Sequence, residues 1–300
     1  MRIHSMTGCF LASVLAVPVS SLPAASVTDF IDFSLRADDN TVLLPGRLHG
    51  EASDPTTPRP LVLFLHGSGE SGTDNLLPIN ENIDGLLAEV KLRGAYLYAP
   101  QTNSGWANPT VLTQTMTMID RAIAEQQVDA NRIYVTGLSM GGGGVWNMLI
   151  KFPNRFAAAV PIAPVSPFPN LPANLVGQPI WDFHARNDGS VPVTLSRSVI
   201  SDVLSAAGQP HPAYPSLTTF VPSHFQFNND LLDLRYTEFF KGGHSIWHPV
   251  YRQPDMYEWL FAHAMVPEPN SLVLIGMAVV ALGVFRSASA KSIKCRGTAA

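Results

Sequence analysis

Cysteine is almost absent from this chain. The 300 residues include two, Cys9 and Cys295, and each lies close to one end of the sequence. Residues 27–264 therefore contain none. This excludes a disulfide bridge, a cysteine nucleophile and a thiolate metal site from the central part of the chain.

Charge is scarce as well. Asp, Glu, Lys and Arg make up 14% of the residues, the formal net charge is −4, and no basic patch stands out. A nucleic-acid-binding protein usually carries such a patch, so nucleic acid is not an expected partner. Neither H-E-x-x-H nor another clustered His/Asp spacing occurs. We therefore predict no metal and no other cofactor.

The glycine-rich run Ile133–Gly144, IYVTGLSMGGGG, lacks the residues that a phosphate-binding loop needs. A Walker A loop requires Lys and then Ser or Thr after its second glycine, where this run has two further glycines. A dinucleotide fingerprint requires a glycine at the position of Ser139. The run therefore fits neither kind of phosphate site.

What the run does contain is G-x-S-x-G, from Gly137 to Gly141, with Ser139 at its centre. This pattern marks a nucleophile when a strand runs into it and a helix leaves it, because the serine must lie on a sharp, strained turn. The preceding residues are β-branched and aromatic, and a helix-like run follows until Pro153. Ser139 is therefore a candidate nucleophile. The alternative is a chance match in an ordinary turn.

Between residues 27 and 264, apolar β-rich runs alternate with longer helix-like runs. This alternation predicts an α/β domain with a doubly wound, mostly parallel sheet flanked by helices, with antiparallel strands at one edge. The predicted parallel strands are 60–67, 95–100, 132–137, 156–164, 179–186 and 235–240. The predicted helices are 82–94, 111–127, 142–152, 192–208 and 254–264.

One segment interrupts the alternation. Gln209–Asp233 separates a helix from a strand and contains four prolines. Ordered loops of this length are uncommon and often functional. Its aromatic residues Phe220, Phe225 and Phe227 are predicted to form a lid or a wall over the site; the alternative is a surface excursion with a small cluster of its own.

Residues 1–26 have the pattern of a secretory signal peptide: a basic start, an apolar run and a zone of small residues. We expect cleavage before Val27 and export of the domain at 27–264. An uncleaved N-terminal anchor is the alternative, although the apolar run is short for a membrane span.

Residues 265–300 contain an uncharged stretch, Ser271–Phe285, followed by a basic tail. The stretch is predicted to be a transmembrane helix with the tail in the cytoplasm; a buried core helix is the alternative. The motif Val266–Pro269, the apolar stretch and Arg286 together resemble the PEP-CTERM sorting signal of Gram-negative envelope proteins. That resemblance implies an exosortase-type processing enzyme as a partner and transient anchoring at the cell envelope. The tail after Arg286 is longer than is usual in that family.

A serine nucleophile needs backbone N–H donors for the oxyanion. Upstream, a buried strand runs into HGSG, a glycine loop that allows close approach of the backbone. We expect the amides of Ser68 and Met140 to form the oxyanion hole, with Gly67 as the alternative to Ser68. His66 is predicted to orient this loop, and His184, within a strand, to be structural.

The nucleophile also needs a base and a carboxylate, and side chains at strand ends supply both in α/β proteins. Asp188 lies just past a predicted strand and is the candidate acid, whereas Asp182 lies within it. His244 follows a strand and two glycines and is the candidate base. His248 and His263 are the alternatives, and both look helical.

With these residues in this order, the chain resembles the α/β-hydrolase superfamily. More narrowly, it resembles small secreted bacterial esterases related to feruloyl and acetylxylan esterases and poly(3-hydroxyalkanoate) depolymerases, a group often labelled predicted peptidases. The matching stretches, among them RPLVLFLHGSGESGTDN and YTEFFKGGHSIWHPVY, cover most of Thr41–Leu260. The resemblance implies a serine esterase without a cofactor in which Ser139, Asp188 and His244 are nucleophile, acid and base.

Substrate choice is less determined by the sequence. We expect an ester on a small molecule or a polysaccharide, with the proline-rich segment, Trp106 and Trp247 contributing to selectivity. Core packing is the alternative for Trp247. A peptide substrate, or a non-catalytic envelope protein that uses the fold as a scaffold, are the alternative functions.

Overall fold

The structure, a computed structural model, describes residues 25–50, 56–80, 82–165, 175–218 and 223–265. The predicted transmembrane helix 271–285 and nearly all of the predicted signal peptide 1–26 lie outside these ranges. Within them, no helix combines the length and the apolar character that a membrane span requires.

Strands and helices of the described residues follow the predicted alternation. The strands are β1 (Phe30–Asp32), β2 (Leu35–Arg36), β3 (Val42–Leu44), β4 (Gly46–His49), β5 (Arg59–Leu65), β6 (Tyr96–Pro100), β7 (Val128–Leu138), β8 (Ala158–Ile162), β9 (Ile180–Ala185), β10 (His224–Asn229) and β11 (Leu234–Phe239). The helices are α1 (Leu77–Asn80), α2 (Asp84–Leu92), α3 (Pro109–Glu125), α4 (Met140–Lys151), α5 (Thr194–Ala206), α6 (Trp247–Val250) and α7 (Pro254–Ala262), with 3₁₀ turns at Val27–Asp29 and Ser68–Glu70.

Nine of these strands form one sheet in the order β1-β4-β6-β5-β7-β8-β9-β11-β10. The strands from β6 to β11 in this order run parallel, whereas β1, β4 and β10 are antiparallel to their neighbours. This confirms the predicted doubly wound, mostly parallel sheet and its antiparallel edge. All parallel strands end at one edge of the sheet, called the carboxyl edge below.

Helices cover both faces of the sheet. Side chains of α3, α4 and α5 pack in one apolar cluster, and those of α2 and α7 pack in a second. Strand β5 contributes to both, because alternate side chains point to opposite faces: Leu61 and Leu63 to the first cluster, Val62 and Phe64 to the second. Each fully buried side chain of this size contributes about 1.5–3 kcal/mol. The core therefore fixes where the strand ends lie.

The segment Gln209–Asp233 differs from the prediction of one continuous loop. From His224 to Asn229 it forms β10, which pairs antiparallel with β11. Its exposure alternates along HFQFNN, and the partly buried Phe225 and Phe227 pack against the first core cluster. These two rings therefore contact the core instead of covering the site, and Phe220 lies outside the described residues.

The first half of the same segment is held on the sheet by a buried ion cluster. Glu238 accepts hydrogen bonds from Arg186 Nε at 2.8 Å and from an Arg197 guanidinium nitrogen at 2.7 Å. Burial opposes the charged form of Glu238, but the two guanidinium groups outweigh it and hold its pKa below the usual value. Arg197 also donates to the Pro215 carbonyl oxygen at 3.0 Å. The described part of the segment therefore packs on the strands at this end of the sheet.

Candidate active site

Ser139 lies on a sharp turn between β7 and α4. Its backbone has φ 55° and ψ −115°, a conformation that a side chain makes costly. The flanking glycines are needed sterically: a Cβ on Gly137 would lie 2.5 Å from the Gly141 carbonyl oxygen, and a Cβ on Gly141 would overlap the Leu65 carbonyl oxygen. The turn thus exists only because the neighbours have no side chain. It presents Ser139 at the carboxyl edge.

The structure brings the three predicted catalytic residues together. His244 Nε2 lies 2.8 Å from Ser139 Oγ, and His244 Nδ1 lies 2.7 Å from Asp188 Oδ2. Each residue follows a parallel strand: Ser139 follows β7, Asp188 follows β9 and His244 follows β11. Their meeting is a consequence of the topology, since these strand ends lie along one edge.

The environment of Asp188 keeps it ionised. Burial favours its neutral form, but backbone N–H donors at 2.9 Å from Val191 and 2.8 Å from Ser190, together with His244, outweigh burial, and the pKa of Asp188 is lowered. A carboxylate only accepts hydrogen bonds, so His244 Nδ1 must donate to it. In neutral His244, Nε2 is then left as the acceptor for the Ser139 hydroxyl proton.

The two backbone amides predicted to form the oxyanion hole lie on the segments that follow β5 and β7. Ser68 opens the 3₁₀ turn after β5, and Met140 is the first residue of α4. Within the described ranges neither amide N–H has a hydrogen-bond acceptor. Gly67, the alternative donor, packs so closely on Leu138 that a Cβ would lie 2.6 Å from its Cδ1. The predicted oxyanion loop, residues 67–70, therefore packs against Leu138 at the end of β7.

His66, which is predicted to orient this loop, is hydrogen-bonded to it. It is fully buried, and burial lowers its pKa to about 4, so it is neutral. Its Nδ1 lies 2.7 Å from the Gly67 carbonyl oxygen, and its Nε2 accepts the Thr102 N–H at 3.1 Å. Trp106 Nε1 donates to the His66 carbonyl oxygen at 2.9 Å, and Trp106 is 1% exposed. The predicted substrate contact of Trp106 is therefore corrected: its ring lies behind the loop, where it supports the backbone.

Trp247 also lies inside the protein. It is 7% exposed, and its Nε1 donates to Asn82 Oδ1 at 2.8 Å. Its ring stands perpendicular to the His244 imidazole, with the ring centroids 5.3 Å apart. Trp247 therefore contacts the predicted base instead of offering a substrate platform, so the core-packing alternative holds. The contact of Asn82 could not be predicted from the sequence, because no local pattern indicates that a single asparagine binds a distant tryptophan.

The other titratable candidates lie elsewhere. Asp182 is fully buried within β9, where burial raises its pKa to about 7. His184 is buried in the same strand, with its Nε2 2.9 Å from the Val191 carbonyl oxygen. His248 is exposed on α6, and His263 binds Asp233 at the opposite edge of the sheet. Among the described residues, no group of three or more His, Cys, Asp or Glu side chains could hold a metal ion.

A polar cavity of about 480 Å³ lies at the same carboxyl edge, beside β4 and β6. Its lining does not include the serine, the histidine or the aspartate of the proposed triad. Most of its lining residues are polar, and apolar residues such as Leu43 and Val111 complete the wall. The charged and amide side chains that favour a polar ligand include Asp32, Arg36, Arg47, Asp74, Asn75 and Gln101.

A family model described as the Prolyl oligopeptidase family matches residues 104–170. This segment contains α3, β7, Ser139 and α4, which is the part of the fold that builds the nucleophile turn. The match spans less than a quarter of the 300 residues. It therefore supports the serine turn but does not by itself assign the whole chain to that family.

Other similarities extend further along the chain. The structure of a thermostable esterase is 31% identical, covers 79% of this chain and 64% of its own, with a TM-score of 0.66. MGS-M1, an α/β-hydrolase enzyme from a Medee basin deep-sea metagenome library, is 14% identical over 84% of this chain and 96% of its own, with a TM-score of 0.52. Poly(3-hydroxyalkanoate) depolymerase C of Paucimonas lemoignei is 30% identical over 35% of this chain and 27% of its own length.

These similarities confirm the α/β-hydrolase fold. The chain spans 64% of the thermostable esterase and 27% of the depolymerase, less than two thirds of either. Activity and substrate therefore have to be argued from the site.

Proposed function

We propose that this chain is a serine hydrolase that cleaves carboxylic esters through an acyl-enzyme on Ser139. The observation that carries the proposal is the hydrogen-bonded series Ser139–His244–Asp188 on a strained turn. The sequence and fold similarity to a thermostable esterase supports the same reaction. Catalytic roles for these three residues are part of the proposal.

In the first half of the reaction, Ser139 Oγ attacks the ester carbonyl carbon while His244 Nε2 takes the hydroxyl proton. The carbonyl π electrons move to oxygen and form a tetrahedral oxyanion. When it collapses, the bond to the alcohol oxygen breaks and His244 gives that oxygen its proton. The alcohol leaves and an acyl ester on Ser139 remains.

In the second half, water replaces the alcohol. His244 takes a proton from water as its oxygen attacks the acyl carbon, and returns it to Ser139 Oγ when the acyl bond breaks. Asp188 stabilises the imidazolium of both steps and keeps the proton on Nδ1. The carboxylic acid leaves and the enzyme is restored.

The oxyanion of both halves faces the amides of Ser68 and Met140. The Met140 N–H also lies at the first turn of α4, where the helix dipole favours negative charge. Loss of one such donor typically costs about 3–4 kcal/mol of transition-state stabilisation. Because both donors are backbone groups, removal of the Ser68 or Met140 side chain leaves them in place.

We extend the proposal to esters attached to saccharides, including acetyl and feruloyl groups on polysaccharide. The polar cavity beside β6 supports this, since its charged and amide side chains suit a hydroxyl-rich group. The strands β7 and β6 are separated by β5, so the cavity lies about 10 Å along the edge from Ser139 at about 4.8 Å per strand. An ester carbonyl and a sugar in the cavity can thus belong to one substrate.

A peptidase is the second candidate, because the Prolyl oligopeptidase family model matches residues 104–170. Ester and peptide cleavage use the same serine turn, so that match does not separate them. The thermostable esterase matches over 79% of the chain, which favours an ester. Turnover of a chromogenic dipeptide with no turnover of any acyl ester would reverse this preference.

The experiment is a panel of p-nitrophenyl acetate, feruloyl and longer acyl esters, and chromogenic peptides, against the domain 27–264. We expect ester hydrolysis that Ser139→Ala abolishes and Ser205→Ala, an exposed serine on α5, leaves unchanged. Equal turnover by the Ser139→Ala variant would contradict the nucleophile. A wild-type protein that neither hydrolyses an ester nor reacts with a fluorophosphonate would favour the non-catalytic scaffold.

Export belongs to the proposal as well and rests on the sequence pattern of residues 1–26 and 265–300. We propose that the first segment directs export and that the second anchors the chain until an exosortase-type enzyme processes it. Fractionation of a Gram-negative host carrying the full chain tests this. Ester hydrolysis confined to the cytoplasm would contradict it.

A further inference from the structure

A buried carboxyl group at the end of the oxyanion loop has no part in the mechanism above. Glu70 closes the 3₁₀ turn Ser68–Glu70 and is 4% exposed. Its Oε1 accepts the Asn82 side-chain N–H at 2.7 Å. Asn82 Oδ1 accepts the Trp247 indole N–H at 2.8 Å. One amide therefore connects Glu70 with Trp247, although 165 residues separate Asn82 from Trp247.

Only one orientation of this amide satisfies both neighbours. The indole N–H of Trp247 only donates a hydrogen bond, so it requires the side-chain oxygen of Asn82. Asn82 must therefore direct its nitrogen to Glu70 and its oxygen to Trp247. Its backbone has φ 61°, a left-handed conformation that asparagine tolerates better than most residues. The connection therefore has a definite direction and depends on this residue type.

The two ends of this hydrogen-bonded series lie on two loops, one that carries Ser68 and one that carries His244. The proposed reaction depends on the relative position of these loops. Glu70 belongs to the loop that carries Ser68, and a Cβ on Gly67 would lie 3.1 Å from Glu70 Oε2. Trp247 lies three residues after His244 and faces its imidazole edge-on. Asp188 and Ser139 each contact one ring nitrogen of the base, and an aromatic neighbour can restrict rotation of the ring about the line between those nitrogens. The Trp247 ring is in position to do so.

We propose that Glu70, Asn82 and Trp247 are positioning residues that keep the oxyanion loop and the His244 ring aligned on Ser139. The proposal rests on the proposed function, since it concerns the geometry of that reaction. A catalytic group has to be held within about 0.5 Å and 10–20° of its productive position. A continuous hydrogen-bonded series between the two loops holds both at once, where separate packing would let each drift.

The test is a double-mutant cycle with p-nitrophenyl acetate. Trp247→Phe keeps an aromatic ring beside His244 but removes the N–H, and Glu70→Gln keeps the shape but offers Asn82 a mixed partner. We expect each variant to lower kcat about tenfold with KM within about twofold, because substrate does not touch these residues. The double variant should be no slower than the slower single variant, since both changes break one series.

A matched control exists at the far edge of the sheet. Trp259 Nε1 donates to Asp233 at 3.0 Å, and its ring lies edge-on to His263 with centroids 4.8 Å apart. Trp259→Phe thus makes the same chemical change beside a different histidine. We expect its kcat and its pH profile to match wild type, while Trp247→Phe displaces the acidic limb of kcat/KM by changing the surroundings of His244.

The outcomes are separable. A wild-type protein that hydrolyses no ester overturns the proposed function and this proposal with it. An active wild type with unchanged kcat and pH profile in Trp247→Phe and Glu70→Gln overturns the positioning role alone, as does a double variant whose loss is the product of the single losses. If Glu70→Gln does not fold, Trp247→Phe against Trp259→Phe decides the question through the kcat, KM and pH comparison.

Discussion

Two of the histidine–aspartate pairs among the described residues lie at opposite edges of the same sheet. At the carboxyl edge, His244 Nδ1 lies 2.7 Å from Asp188 Oδ2. At the amino edge, His263 Nε2 lies 2.5 Å from Asp233 Oδ2, just before β11 begins. The distances between the imidazole nitrogen and the carboxylate oxygen are similar in the two pairs. Proximity of an imidazole and a carboxylate is therefore not what makes a site.

The difference lies at the other ring nitrogen. His244 Nε2 faces the Ser139 hydroxyl, a group that can give up a proton. His263 Nδ1 faces the Trp259 carbonyl oxygen at 2.8 Å, which has no proton to give. The first pair can act as a base, whereas the second closes the end of α7. The strained turn of Ser139 thus separates a proposed catalytic pair from a structural one.

The largest expected effect comes from replacing the histidine of each pair by alanine. His244→Ala should lower kcat by about 10⁴–10⁶-fold, because Ser139 loses its base. His263→Ala should leave kcat within about twofold and instead lower the free energy of unfolding by about 1 kcal/mol, through loss of its hydrogen bonds. Steady-state kinetics and urea unfolding of both variants measure this. Equal losses of kcat would contradict the distinction.

The aspartates give the next largest contrast. Asp188→Asn should lower kcat by about 10³–10⁴-fold, because an amide N–H facing Nδ1 favours the wrong tautomer of His244. Asp233→Asn should change kcat less than about twofold, since Asp233 faces no reacting group. The pair is compared under identical conditions with p-nitrophenyl acetate. A fast Asp188→Asn variant would remove Asp188 from the proposed triad.

The turn itself can be broken without touching either pair. Gly141→Ala places a methyl group on the Leu65 carbonyl oxygen, so we expect a loss of about 3 kcal/mol or more in unfolding free energy and displacement of Ser139. Gly69→Ala in the oxyanion loop is the control, because nothing lies within 4 Å of its Cβ position. Similar unfolding free energies of the two variants would contradict the close packing of Gly141 on the Leu65 carbonyl oxygen.

A third aspartate sharpens the contrast by its pH dependence. Burial raises the pKa of Asp182 to about 7, whereas an unfolded aspartate titrates near about 3.9. Between these values the folded protein keeps a proton that the unfolded chain has lost, so this group lowers stability as pH rises from about 4 to about 7. In wild type, the free energy of unfolding should therefore decline over this pH range. We expect Asp182→Asn to remove about 2 kcal/mol or more of that decline.

Asp188 has the opposite sign. Its pKa is lowered, so its contribution to stability is present above the unfolded value and is lost as pH falls through the folded one. Urea midpoints from pH 3 to pH 8, with each variant compared with wild type, check both signs. An Asp182→Asn curve parallel to wild type would contradict the buried, protonated state of that residue.

The smallest effect concerns the polar cavity. Arg36 lines it and forms an exposed ion pair with Asp32 at 2.9 Å. Arg36→Ala should raise KM about 3- to 10-fold for a feruloylated or acetylated oligosaccharide and leave p-nitrophenyl acetate unchanged, because the small ester does not reach the cavity. Arg155→Ala, which removes an arginine that lies after the end of α4 and pairs with Asp120 of α3, serves as control. Equal effects on both esters would exclude the cavity as a saccharide site.

The sequence predicted the parts of the site that strand ends determine. Ser139, Asp188 and His244 each follow a β-rich run, and a parallel sheet places such ends along one edge. A Cβ on Gly142 would lie 2.7 Å from the Ile162 carbonyl oxygen, so this glycine lets α4 approach the sheet.

What could not be predicted depends on where side chains point. Trp247 lies three residues after His244, and Trp106 lies in the loop before α3. Whether either ring faces substrate or core is decided by packing across distant segments. Asn82 and Glu70 meet through tertiary contacts that no spacing encodes. Strand β10 was not predicted, because the prolines before it indicated a loop, although its residues alternate as those of a strand do.

The most direct test of the central claim is labelling with a fluorophosphonate, which reacts with an activated serine, followed by peptide mass spectrometry. We expect one adduct, on Ser139, in wild type and in His263→Ala, and no adduct within the same time in His244→Ala. An unlabelled wild type, an adduct on another serine, or equal labelling of both histidine variants would contradict the account.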